Sequence, residues 1–252
     1  GIGKVVERAE KLGIESTLDR TSSVSLGASC VRPVEIAGVY TAFQRRGSTG
    51  RIPAYSHIRD RDGDILRDKG RFGWPEWSTA ARLDRLARIQ PPPEHGVSPQ
   101  VAHIIARLLR RVVTVGTASD LPDEWPVAGK TGTSNEYDGW FVGFDGRQTV
   151  VTWVGSDRNR RPLGRGEHGA TVAMPAFESY YGKTSDRSTP FWERPPPRGV
   201  VVERIDPETG LLARPGEPAI ELPFVEGTRP GEFAPTTATR RAEQFDQLSS
   251  EF

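Results

Sequence analysis

Apolar positions in this chain recur with two periods, and the switch between them outlines the architecture. Over residues 1–14, Ile2, Val5, Val6 and Ala9 recur at helical spacing, and Gly13 stands where a helix would stop. A second helix is predicted after Pro33, a favourable first-turn residue. Val34, Ile36, Ala37, Tyr40, Thr41 and Phe43 cover much of its surface, and Gly47 ends it after Arg45-Arg46. Residues 55–59 alternate as an outgoing strand does, with Tyr55 and His57 on one face; Asp62-Gly63 supplies the turn and Ile65-Leu66 returns. Residues 70–97 read as loop, with Gly70, Gly73, Pro75 and Pro91-Pro92-Pro93. The clearest helix follows. Val101, Ile104, Ile105, Leu108, Leu109, Val112 and Val113 form one stripe, Arg107, Arg110 and Arg111 lie off it, and Gly116 closes it.

From Val127 the period becomes two. Strands are predicted over 127–134, 139–144 and 149–154, with Asp145-Gly146 as a tight turn between the last two. Trp140 and Trp153 suit half-buried strand positions. A loop rich in arginine and glycine (156–166) leads to a helix over about 169–181, with Val172, Ala173, Ala176 and Phe177 on one face and Met174 and Pro175 early in it. Beyond Tyr181 the texture changes. Pro195-Pro196-Pro197 breaks any helix, then Val200-Val201-Val202 and Leu211-Leu212 flank the turn Asp206-Pro207-Glu208-Thr209-Gly210, predicting a small β-hairpin. From about Pro230 the chain is polar and is expected to be disordered. The expected class is α+β, an antiparallel sheet flanked by helices over 1–182, with a β appendage over 183–230 and a tail over 231–252.

Composition narrows the chemistry. Of 252 residues, 27 are glycine and 21 proline, so loops and hairpins take a large share. Thirty-four basic against 33 acidic residues leave a net charge of +1, which gives no footprint for a nucleic acid. Cys30 is the only cysteine, so no internal disulfide or cysteine-rich zinc site is expected. His57, His95, His103 and His168 show no His-x-x-x-His spacing, so neither metal nor cofactor is expected. No apolar run approaches the ~20 residues that span a bilayer. The chain starts Gly-Ile-Gly with no methionine or signal peptide, which reads as a cut chain.

The segment Ala128-Gly129-Lys130-Thr131-Gly132-Thr133-Ser134 puts a lysine, hydroxyls and glycines on a predicted strand. Regular alternation sets Lys130, Gly132 and Ser134 on one side and Thr131 and Thr133 on the other. Glycine weakens a strand unless something must approach its backbone closely, and Lys130 adds a fixed charge beside that approach. An extended substrate carrying a carboxylate would gain backbone hydrogen bonds and charge pairing there. A phosphate loop is excluded, because Glu124 stands where its first glycine belongs.

The order of segments carries a resemblance. Val115-Gly116-Thr117-Ala118 precedes that strand; Asp138-Gly139-Trp140-Phe141-Val142-Gly143, Thr152-Trp153-Val154-Gly155 and a helix led by Gly-Ala follow it. Upstream stand Ser25-Leu26-Gly27-Ala28 and Val31-Arg32-Pro33-Val34-Glu35-Ile36-Ala37; downstream stand 205–213 and 224–230. Together, over roughly residues 1–230, these segments resemble the transpeptidase domain of class A penicillin-binding proteins, the bifunctional peptidoglycan synthases, whose signatures include lysine-threonine-glycine. The resemblance implies the penicillin-binding and serine β-lactamase-like fold, incomplete at its N-terminus. It also implies cross-linking of peptidoglycan by acyl transfer from D-alanyl-D-alanine stem peptides through a serine acyl-enzyme that β-lactam antibiotics trap. Lys130 and Thr133 would be the catalytic residues, Thr133 through its backbone N–H in an oxyanion hole, and Thr131, Gly132 and Thr133 would bind the substrate carboxylate.

Two family motifs have no match. Ser29-Cys30-Val31-Arg32 and Ser48-Thr49-Gly50-Arg51 come nearest to Ser-x-x-Lys, but arginine stays protonated and cannot act as a base. Ser134-Asn135 lacks the middle residue of Ser-x-Asn. The nucleophile, a glycosyltransferase domain and an inner-membrane anchor would then lie upstream, in a missing N-terminal part that is itself a partner, and the location would be extracytoplasmic. The alternative is a non-catalytic module of the same fold that binds peptidoglycan or a partner protein. A serine β-lactamase shares lysine-threonine-glycine, but the appendage after Tyr181 and the 138–141 strand speak against it.

Overall fold

The computed structural model describes residues 1–50, 52, 55, 57–68, 95–134, 137–156, 161–193 and 195–241. In chain order come helices α1 (Ile2–Lys11) and α2 (Pro33–Gln44), strands β1 (His57–Arg59) and β2 (Ile65–Asp68), and the long helix α3 (Pro99–Val115). Strands β3 (Ala128–Ser134), β4 (Asp138–Phe144) and β5 (Thr149–Val154) follow, then helices α4 (Gly169–Val172) and α5 (Met174–Thr184), then strands β6 (Val200–Ile205) and β7 (Ile220–Val225). The three central strands form one antiparallel sheet in the order β3-β4-β5, with Lys130 opposite Val142, Gly132 opposite Trp140 and Trp140 opposite Trp153.

Helices pack against parts of both faces of this sheet. On one face α4 and α5 seal it with Phe141, Phe177, Tyr181, Met174 and Trp125. Phe141 meets Phe177 edge-on at 4.7 Å, and Phe177 stacks on Tyr181 at 5.2 Å. A side chain at Gly143 would run into the Phe177 ring, so the helix can come this close only over glycine. The β4–β5 turn is tied to the same helix. The buried Asp145 carboxylate accepts from the backbone N–H groups of Arg147 and Gln148, from the Tyr181 hydroxyl at 2.8 Å and from Ser185 Oγ at 2.7 Å. A second core, with Ala42 and Phe43 of α2, Ala102 and Ala106 of α3, Ala128, Phe144 and Trp192, joins α2 and α3 to the sheet.

Several expectations need correction. The buried line of α3 runs through Ala102, Ala106 and Val113, while Leu108 is 45% exposed. Two alanines let the helix pack closely onto Ala128 and Phe144, and the larger residues flank that line. Gly116 does close α3, in an extended conformation (φ −112°); a Cβ there would lie 2.9 Å from the Val112 backbone. The helix expected over 169–181 is two helices that meet at Ala173. Pro175 has no N–H with which to continue the first helix into the second.

In the appendage, β6 pairs with β7, not with 211–212: Val200 lies opposite Val225 and Val202 opposite Pro223. Leu212 makes only single bridges, to Ile205 and Phe233. The disorder expected from about Pro230 does not hold over 231–241. Ala234 is 2% exposed and its N–H donates to the Leu212 carbonyl, and Arg240 pairs at 2.8 Å with the buried Asp206. A polar segment stays ordered here because its guanidinium meets a carboxylate removed from water. The loop with Trp74 and Trp77, along with Arg158, Arg160 and residues 242–252, lies outside the described residues.

Candidate active site

β3 is an outer strand, and among the described residues no other strand pairs with its second edge. Lys130 Nζ donates to the Thr131 carbonyl at 2.6 Å, which sets that carbonyl on the free edge. In an antiparallel ladder successive residues turn their backbone groups alternately to either side, so the Thr133 N–H faces the same edge. The side chains alternate as the sequence predicts. Lys130 and Ser134 share the face of Val142 and Trp140; Thr131 and Thr133 share the opposite face.

Neighbouring elements hold both threonines. Thr131 Oγ1 lies 2.7 Å from Thr117 Oγ1, in the turn after α3, and Thr133 Oγ1 accepts from the Gly169 N–H at 3.0 Å, at the start of α4. A Cβ at Gly169 would collide with the Gly132 and Trp140 carbonyls, so only glycine brings α4 onto the strand here. The approach to β3 is fixed by α3. Arg110 donates to the carbonyls of Trp125 at 2.6 Å, Val127 at 2.9 Å and Asp123 at 3.0 Å.

Lys130, Thr131, Gly132, Thr133 and Ser134 all border a groove of about 650 Å³. Its sheet side carries Trp140 and Trp153, whose rings lie 6.1 Å apart, and Trp153 Nε1 donates to Asp138 at 3.0 Å. Tyr40 of α2 also lines it; burial pushes the phenol pKa up to about 12, so the ring enters the groove neutral. Residues 26–31 border it too.

Beside this stretch, Glu35 ties residues 15–16 to the start of α2. Its carboxylate, 5% exposed, accepts from the N–H groups of Glu15 (3.1 Å), Ser16 (3.0 Å) and Arg32 (3.2 Å), from Ser16 Oγ (2.6 Å) and from the Arg32 guanidinium. Burial raises its pKa, but the hydrogen bonds from Ser16 and Arg32 outweigh burial and bring it down to about 2.

All four residues predicted for the site therefore lie together: Lys130, Thr131, Gly132 and Thr133 on one strand edge beside one groove. An ammonium, two fixed hydroxyls and a free amide along an open edge can hold an extended chain that ends in a carboxylate, and an amide so placed can stabilise an oxyanion. Sequence reasoning missed Thr117, Arg110, Glu35 and Gly169. Gly116-Thr117-Ala118 stood out only by its order in the chain, and nothing local placed it beside Thr131.

Known proteins share this arrangement of elements. Penicillin-binding protein 1A of Pseudomonas aeruginosa is 31% identical over 86% of this chain, and that of Aquifex aeolicus 30% over 91%. The chain spans only 30% and 29% of the length of those two relatives. The crystal structure of penicillin-binding protein 1A from Haemophilus influenzae matches with a TM-score of 0.73 at 26% identity, over 93% of this chain and 38% of that one. Penicillin-binding protein PonA1 of Mycobacterium tuberculosis, at 18% identity, shares the fold with a TM-score of 0.57 over 74% of this chain and 50% of its own. A family model described as the penicillin binding protein transpeptidase domain matches residues 4–178, which is most of the chain. With the α+β sheet, the strand-edge lysine and these relatives in agreement, the chain belongs to the penicillin-binding protein transpeptidase family.

Proposed function

We propose that this chain supplies one wall of a DD-transpeptidase cleft that cross-links peptidoglycan. The observation that carries the reading is Lys130, Thr131 and Thr133 on the free edge of β3, beside a groove with room for a chain. In this reading a stem peptide ending in D-alanyl-D-alanine lies along the edge as an added strand. The hydroxyls of Thr131 and Thr133 hold its terminal carboxylate, Gly132 allows close approach, and the Lys130 ammonium supports both the carboxylate and the reacting serine. The Thr133 N–H receives the oxyanion as the serine attacks the carbonyl carbon, D-alanine departs with a proton, and an amine of a neighbouring stem peptide then takes the acyl group from the serine. β-Lactams occupy the same edge and acylate the same serine.

The serine belongs to a Ser-x-x-Lys motif that this sequence does not contain. In this reading its segment, supplied by the rest of the protein, stands across the cleft from β3 so that the hydroxyl reaches the Lys130 edge. The protein works outside the cytoplasm, anchored to the membrane through a part beyond this chain; among the described residues no helix is long and apolar enough to cross a membrane. The test is labelling of the complete protein with a fluorescent penicillin. We expect covalent labelling that a D-alanyl-D-alanine peptide slows, and none of the 252-residue chain by itself. A complete protein that stays unlabelled, or a labelled isolated chain, overturns the reading.

A further inference from the structure

Thr131 and Thr133 hold their hydroxyls against different partners, and the difference concerns protons. A hydroxyl has one proton to give and two lone pairs. Thr133 Oγ1 accepts from the Gly169 backbone N–H at 3.0 Å, so its own proton is left to point elsewhere. Thr131 Oγ1 has another hydroxyl as partner, Thr117 Oγ1 at 2.7 Å, and either oxygen of that pair can donate.

Thr117 is well anchored for such a role. Its neighbour Ala118 is fully buried in the core beneath α5, and the Ala118 N–H donates to the Val112 carbonyl at 3.1 Å. The Ser119 N–H closes the turn onto Gly116 at 3.2 Å.

We infer that Thr117 is a positioning residue that makes Thr131 a proton donor toward the carboxylate end of the acyl donor. The inference rests on the acyl-transfer reading above. A carboxylate only accepts, so when it lies against β3 the Thr131 proton must turn to it. Thr117 must then donate to Thr131, giving a chain of two hydroxyls that ends on the anion. Each bond in such a chain polarises the next. The Gly169 N–H does the equivalent for Thr133. A neutral ester also only accepts, but far more weakly than an anion, so the contribution of Thr117 is largest for the charged end of the substrate. A residue that merely supports the fold would affect charged and neutral substrates alike.

The test uses the complete protein with Thr117→Val, which keeps the shape and removes the hydroxyl, and Thr117→Ser, which restores it. The readout is the second-order acylation rate for a penicillin with a free carboxylate and for its neutral methyl ester. We expect Thr117→Val to slow the acid about tenfold while the ester changes by less than about twofold, and Thr117→Ser to restore the acid rate. Thr117→Ala gives the same split if valine disturbs the turn. An equal fall for acid and ester, or an unchanged acid rate, overturns the inference alone. A wild-type protein that no penicillin acylates overturns the acyl-transfer reading, and this inference with it.

Discussion

The two faces of the β3-β4-β5 sheet are built from the same three strands and finished in opposite ways. Toward α4 and α5 the surface is closed by interlocked aromatics, with Phe141, Phe177 and Tyr181 fully buried. Toward α2 it opens into a groove where Trp140 and Trp153 stay partly exposed beside Lys130. Because strand side chains alternate, one sheet can present an inert face and a reactive one with no change of backbone. The aromatic core lies behind the strands, and the chemistry gathers at the free edge of β3, where Lys130 from the open face meets Thr131 and Thr133 from the other.

The sharpest way to break that division is Lys130→Ala in the complete protein. Acylation by penicillin is expected to fall by ~100-fold or more, while thermal denaturation shows the fold intact; undiminished acylation removes the role assigned to the open face. Phe177→Ala addresses the closed face and should lower stability by ~3–5 kcal/mol, read from the midpoint of denaturant unfolding. The acylation rate per folded molecule should stay near wild type, and a specific loss of acylation would mean that the two faces are not separate.

Glu35→Ala lies between these cases, because Glu35 supports the groove wall and not the chemistry. About 2–3 kcal/mol should be lost as the Glu15, Ser16 and Arg32 donors lose their acceptor. The acid dependence follows from the depressed pKa. The stabilisation is complete above the ordinary glutamate range, near 4.5, and disappears as the pH falls through about 2. The stability gap between wild type and Glu35→Gln should therefore narrow over that interval, and a gap that widens there contradicts the assignment. The smallest effect is expected from Arg240→Ala, which unties residues 231–241 from Asp206. Limited proteolysis should cut that segment faster, with acylation and overall melting almost unchanged.

Much of the sheet was legible in the chain, because alternation from Ala128 to Val154 and the Asp145-Gly146 turn are local signals. The appendage was not. β7 contains Pro223, which argues against a strand when read alone, and the nearer pair Leu211-Leu212 looked like the natural partner for β6. The two-stranded ladder accommodates Pro223 opposite Val202. At the site, Lys130, Thr131, Gly132 and Thr133 are neighbours in sequence and could be seen together. Thr117 and Gly169 reach them only through the packing of α3 and α4, which no local pattern reports. Arg110 seemed an ordinary polar position beside an apolar stripe, since a guanidinium's carbonyl partners 13 to 17 residues away leave no periodicity.

That arginine has a wider consequence. The carbonyls of Asp123, Trp125 and Val127 lie in a connecting stretch that neither helix nor sheet organises, yet one planar cation satisfies all three. The backbone of those five residues is thus held without regular structure, so the exposed Asp123 and Glu124 can vary while Trp125 and Val127 stay fixed in the core. A lysine in its place, with one nitrogen to share among three divergent oxygens, could not keep that freedom open.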